Sequence, residues 1–142
     1  MSEIIVLDTH IWLWFVNNDI NKIPQGWLER IEHAQKVGIS AVSYYEVALA
    51  NSRGRLKLPM KVQDWFDCAV EAIDLELFPL TADIAYRSVM LSPIHKDPFD
   101  RMIIATALSY EAKLASVDKI FPKYNELKGC LMSTSASTQT KD

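Results

Sequence analysis

The residues in this sequence best suited to chemistry are acids placed at the ends of apolar segments. IIVL at 4–7 runs into Asp8, KLASV at 113–117 runs into Asp118, and ISAV at 39–42 leads into a helical stretch that carries Glu46 one turn in. A fourth acid, Asp100, enters a helix with Met102, Ile103 and Ile104 close behind it. Each alone has an ordinary reading as a helix cap or a surface acid that complements the helix dipole. Glu46 fits that reading least well. Its helical neighbours at i−4, i+3 and i+4 are Val42, Leu49 and Ala50, which put a carboxylate into an apolar stripe where it needs a partner.

The stretch HKDPFDRMIIATAL at 95–108 supplies two acids where a helix start needs one. Asp97 has the position of the N-cap, and Pro98 suits the first helical position because its missing N–H would be unpaired there anyway. Asp100 is left over. If the strands are parallel neighbours, Asp8, Glu46, Asp100 and Asp118 converge in the crevice outside the strand carboxyl ends. Such crowding is costly, since two like charges about 4 Å apart repel by roughly 4 kcal/mol at an effective dielectric of 20. Protons or cations must offset it. His10, His33 and His95 lie far apart in the sequence, and Cys68 and Cys130 form no CxxC pair, so a zinc site is not expected. The remaining oxygen donors suit a hard divalent ion, Mg²⁺ or Mn²⁺, of the kind that activates water for in-line attack on a phosphodiester.

The elements that must position these acids alternate between short apolar strands and helices. The pattern predicts strands at 4–7, 39–42, 75–80 and 113–117, with a weaker candidate near 130–132. It predicts helices from Thr9 to Asn17, Pro24 to Val37 closed by Gly38, Ser43 to Ser52 with Ser43 as cap, Lys61 to Ile73, Thr81 to Met90, and Asp97 to Ala112. Such alternation points to an α/β layered fold around a mainly parallel sheet.

With 142 residues, 49% of them hydrophobic, the chain has room for one domain with a substantial core, expected over 1–132. STSASTQTKD, from 133, lacks apolar periodicity and reads as a disordered tail. Fifteen basic residues against 18 acids exclude binding of a polyanion by net charge, so any such partner is handled locally. Arg53, Arg55, Lys57 and Lys61 form the densest basic run, and Lys96 and Arg101 flank the acids; a solvated face is the plain alternative. Trp12, Trp14 and Phe15 could stack on bases or could simply be core. The opening MSEIIVLD has no leader character, and the longest apolar run, IWLWFV, is well short of the roughly 20 residues that span a bilayer. A cytoplasmic protein with free thiols, and no membrane partner, is expected.

Taken together, LDTHIWLW, SYYEVA, DPFDRMIIATAL and SVDKIF, in this order, resemble the PIN-domain nucleases, in particular the VapC-like toxins of bacterial toxin–antitoxin pairs. The resemblance covers the chain up to about residue 132 and implies a PIN-like three-layer fold, its central sheet flanked by helices. It also implies an Mg²⁺- or Mn²⁺-dependent endoribonuclease that forms a homodimer and pairs with an antitoxin whose C-terminal segment covers the acidic groove. Carried over, the metal-binding and catalytic acids fall on Asp8, Glu46, Asp100 and Asp118. Asp97 belongs to the DPFD variant and would reach metal through water, and Ser116 takes the small hydroxyl position that orients a ligand or water. Three other readings stand beside this one. An aspartyl phosphatase would want an acid where His10 stands, a housekeeping PIN-type RNA-processing nuclease would share the chemistry, and a non-catalytic binding module would use every acid as a cap.

Overall fold

The computed structural model describes residues 3–72 and 74–134. Four strands, β1 (Ile4–Leu7), β2 (Lys36–Ser40), β3 (Leu75–Phe78) and β4 (Lys113–Ala115), form one sheet in the order β3-β2-β1-β4, and every pair is parallel. The helices are α1 (Thr9–Val16), α2 (Trp27–His33), α3 (Ala41–Ser52), α4 (Val62–Ala72), α5 (Ala82–Met90) and α6 (Pro98–Ser109). Parallel neighbours require crossovers, and those helices provide them.

Strand alternation divides the interior into two cores and makes the fold three-layered. Ile5 and Leu7 of β1 point to one side, where Trp12, Trp27, Ile31, Val47 and Trp65 pack against them. Val6 points to the other, among Ile103, Ile104 and Ala107 of α6 and Phe121, Tyr124 and Leu127 of two short 3₁₀ turns. The order of strands reverses at β1, which has β2 on one side and β4 on the other. That is the switch point where an open parallel sheet leaves a crevice.

Two sequence expectations shift. The helix expected to reach Val37 ends at His33, and Gln35 and Lys36 both donate to the Glu3 carbonyl, which starts β2 at Lys36. Gly38 therefore lies inside β2 and closes no helix. Its smallness has another use: a Cβ there would meet the Phe78 ring and come within 2.7 Å of the Glu76 carbonyl oxygen. With β2 ending at Ser40, it is Ser40 and not Ser43 that caps α3, accepting from the Val42 N–H at 3.1 Å. Glu46 thus sits in the second turn of α3 and not the first.

At the other edge, β4 stops at Ala115, two residues earlier than expected, because Ser116 turns its hydroxyl to another task. The weak candidate near 130–132 is a single parallel bridge between Leu114 and Leu131. Ser133, expected in the tail, still belongs to the packed structure, since its carbonyl accepts from Trp27 Nε1 at 2.9 Å. The rest of that expectation, from residue 135, lies outside the described residues.

Gly38→Val should destabilise the fold by about 2–3 kcal/mol, since neither the Phe78 ring nor the Glu76 backbone can give way without opening the β2–β3 pairing. Urea unfolding monitored by tryptophan fluorescence measures this, and an unchanged midpoint would contradict the close-approach account.

Candidate metal centre

Asp8 directly follows β1 and caps α1, taking the Thr9 N–H on Oδ1 at 2.8 Å. Its Oδ2 accepts the Ser116 hydroxyl at 2.7 Å, and Ser116 Oγ in turn accepts the Asp118 N–H at 3.1 Å. One serine therefore ties the ends of β1 and β4 together, and it fixes two acids in doing so. Asp118 Oδ1 accepts the Ile120 N–H at 2.8 Å, which orients that carboxylate as well.

Glu46 is anchored differently. Thr9 Oγ1 donates to Glu46 Oε1 at 2.8 Å and lies 2.8 Å from Ser43 Oγ. A threonine hydroxyl has a single proton, and here it goes to the glutamate, so Ser43 donates to Thr9. Sequence reasoning treated Thr9 only as a helix start and Ser43 only as a cap. Both form a hydroxyl relay that holds a carboxylate reaching out of an otherwise apolar helix face.

Asp97 and Pro98 open α6 as the sequence suggested, with Asp97 Oδ1 accepting the Phe99 N–H at 2.9 Å. Asp97 is not only a cap: one carboxylate oxygen each from Glu46, Asp97 and Asp100 lie within 4.8 Å of one another. His95, which appeared too remote in the sequence to matter, lies against two of the acids. Its Nε2 is 2.9 Å from Asp100 Oδ2, and its ring nitrogen and single oxygens of Asp100 and Asp118 also fall within 4.8 Å of one another. The Asp97 N–H donates to His95 Nδ1 at 3.3 Å, which assigns the ring proton to Nε2, the nitrogen that faces Asp100. The signal for this was the spacing H-x-D-x-x-D, in which a loop residue precedes the cap by two.

Asp8, Glu46, Asp97, Asp100 and Asp118 line one cleft of about 310 Å³, together with Thr9, His10, Trp14 and Val117. Among the described residues no lysine or arginine makes an ion pair with any of these five acids. The negative charge is therefore uncompensated, and it appears in the acids' titration. Burial raises the Asp100 carboxyl to about 8, helped by the charges of Asp97, Asp8, Glu46 and Asp118. Burial also raises Asp8, against the opposing hydrogen bonds from Ser116 and Thr9, and raises Glu46, where Asp8 and Asp97 add to it. A reading of all the acids as caps fails at Glu46, which sits in the second turn of α3 and is held by the Thr9 hydroxyl. Hard carboxylate oxygens clustered without a countercharge are the donor set that a divalent ion fits.

The expected bases are arranged less favourably. Arg101 is adjacent to Asp100 in sequence but turns away from it. Its guanidinium donates to the carbonyls of Ser88, Val89, Leu91, Ser92 and His95 and to the Tyr124 hydroxyl, which leaves it no donor for RNA. Arg53 caps the end of α3 seven residues beyond Glu46, about 10 Å farther along the helix axis, and Arg53, Arg55, Lys57 and Lys61 are not among the residues that line the acidic cleft. Lys96 remains exposed between His95 and Asp97. Lys119, which the sequence reading passed over, is exposed next to Asp118.

This parallel α/β sheet, with acids gathered at its switch point, belongs to the PIN domain family, whose profile matches residues 5–127. Among its relatives, Ribonuclease VapC22 of Mycobacterium tuberculosis is 28% identical over 116 residues, covering 81% of this chain and 87% of that protein. The fold is shared with VapBC2 from Rickettsia felis, solved bound to a DNA fragment from its promoter (TM-score 0.67, 19% identity, 91% of this chain and 97% of that one). It is also shared with a toxin–antitoxin complex from Klebsiella pneumoniae (TM-score 0.58, 19% identity, 90% and 95%).

The shift at Asp100 has a definite consequence for the metal-free protein. Below about pH 4 the group is protonated whether the chain is folded or not, and it contributes nothing. As pH rises, the unfolded chain, with its ordinary value of 3.8, gives up the proton first, while the folded chain keeps it until about pH 8. The folded state then binds more protons than the unfolded one, so stability falls with rising pH across that window. Without metal, the Tm of the wild type should drop more steeply between about pH 5 and 8 than that of Asp100→Asn; equal slopes in calorimetry would refute this.

Proposed function

We propose that this chain is a divalent-metal-dependent endoribonuclease acting in the cytoplasm as the toxin of a toxin–antitoxin pair. The observation that carries the proposal is the convergence of Asp8, Glu46, Asp100 and Asp118, with Asp97 beside them, in one cleft without a lysine or arginine partner among the described residues. Membership of the PIN domain family supports it, as does the relative named as a ribonuclease. A fold neighbour described as a toxin–antitoxin complex supports a cognate antitoxin as partner. The exposed face of α5, with Tyr86, Val89 and Met90, offers apolar surface for a second copy of the chain.

Asp8, Glu46, Asp100 and Asp118 would hold Mg²⁺ or Mn²⁺, which supplies a Lewis acid and an activated water for phosphodiester hydrolysis when bound. The chain's own residues prepare that site. Ser116 and the Thr9 N–H fix both oxygens of Asp8, so its position does not change when charge arrives. The Thr9 hydroxyl takes one oxygen of Glu46 and His95 Nε2 lies 2.9 Å from one oxygen of Asp100, so the second oxygen of each would be the one to meet a cation. Held in this way, the carboxylates lose little freedom on binding a cation. Lys96 and Lys119, exposed beside the acids, supply positive charge for the approaching phosphate chain.

Mn²⁺ at about 100 times its Kd should stabilise the protein by about 2.7 kcal/mol, and Asp100→Asn should lose that effect together with RNA cleavage and growth inhibition on expression. Calorimetry, cleavage of total RNA and a plating assay read the three outcomes. Full activity in Asp100→Asn would remove Asp100 from the mechanism, and cleavage without toxicity would favour a housekeeping RNA-processing enzyme. His95→Ala should weaken Mn²⁺ binding about 10- to 100-fold, with partial recovery in His95→Gln, which keeps an N–H donor. Isothermal titration measures this, and wild-type affinity in His95→Ala would show that Asp100 needs no orienting group.

A further inference from the structure

The acidic cleft has one wall that the metal centre does not use. Helix α1 buries Thr9, Ile11, Trp12 and Leu13, whereas His10 and Trp14 line the cleft. The two are four residues apart and share a helix face, separated by about 6 Å along the axis. Their ring centroids are 6.1 Å apart at 50°. His10 is exposed and follows Thr9, which bonds both Asp8 and Glu46, so it stands at the acid end of the wall. Trp14 is half-buried, packed against the core on one side and open to the cleft on the other.

The aromatic run thus divides. Trp12 is fully buried between Trp65, Tyr44 and Phe66, and Phe15 packs against the same core. Trp14 alone of these three lines the cleft. A large ring held by the core beside a phosphate-handling site is pre-organised for one kind of contact, because an unpaired base next to a bound phosphodiester presents a π-face and stacking requires no particular base.

We propose that Trp14, with His10 beside it, is the base-binding subsite of this nuclease, taking an unpaired nucleobase that flanks the scissile phosphodiester. This rests on the ribonuclease reading and adds to it a named contact, the Trp14 ring against a base that has left its stack. The subsite acts on binding, so its removal raises KM. Duplex RNA, whose bases are already stacked on each other, cannot use it.

The test is a double-mutant cycle in Mn²⁺ between the ring and the base. Single-stranded RNA oligonucleotides carrying one abasic position at successive places around the cut are cleaved by the wild type, Trp14→Ala, Trp14→Phe and His10→Ala. We expect one abasic position to lower the wild-type kcat/KM about 10-fold through KM. Trp14→Ala should lose a similar factor on the intact oligonucleotide and little more on the abasic one, while Trp14→Phe keeps most of the wild-type preference. His10→Ala, a change at an exposed position, should show a smaller loss at the same nucleotide. Equal penalties for the abasic position in the wild type and Trp14→Ala would overturn the subsite while leaving the nuclease intact. A wild type that cuts no RNA would overturn both readings.

Discussion

Excess negative charge in a confined space is the constraint around which this molecule is organised. Five carboxylates face one cleft, no lysine or arginine among the described residues pairs with any of them, and His95 brings a ring nitrogen to 2.9 Å from Asp100. Burial, with the charges of the neighbouring acids added to it, raises the proton affinity of Asp100 far above its ordinary value. In water the same five groups would separate. What prevents this is covalent attachment to rigid elements. Asp8 is held at the end of β1, Glu46 on α3 and Asp97 and Asp100 on the first turn of α6, and each element is anchored by a core on one face of the sheet or the other. The packing energy of two apolar cores opposes the electrostatic cost of one polar cleft.

The hydroxyl residues show how that cost is limited without neutralising the charge. Ser116 and Thr9 supply hydrogen bonds to carboxylates that have been taken out of water, Ser43 backs Thr9, and none of the three carries a positive charge that would compete with a cation. An arginine in the same place would have satisfied the acids permanently and closed the site to metal. The choice of neutral donors therefore stabilises the metal-free fold only partly, and the remainder is available as binding energy.

Much of this was legible in the sequence because parallel sheets gather strand ends. IIVL-D and KLASV-D each place an acid by local pattern alone, and D-P at 97–98 marks a helix start by the chemistry of proline. Glu46 was visible as a polar residue in an apolar stripe. Less legible was anything that depended on register. A three-residue shift in the start of β2 moved the cap of α3 from Ser43 to Ser40 and released Ser43 for the relay to Thr9. His95 was missed because sequence separation from other ligands was taken as distance in space, whereas the loop before α6 folds it back onto its own helix start. Arg101 was misread for the opposite reason. Adjacency to Asp100 suggested a shared task, but consecutive helical residues point in directions about 100° apart.

Arg101 also bears on how variants of this protein are interpreted. Its guanidinium gathers carbonyls from the end of α5 and from the connection that follows, including that of His95, into a single knot. The knot fixes the very segment that presents His95, Asp97 and Asp100. An inactive Arg101 variant would invite the conclusion that a phosphate contact had been lost. In this architecture it would instead signal that the scaffold beneath the acids had come untied, and a lysine, with a single point of attachment in place of a planar fork, could not retie it.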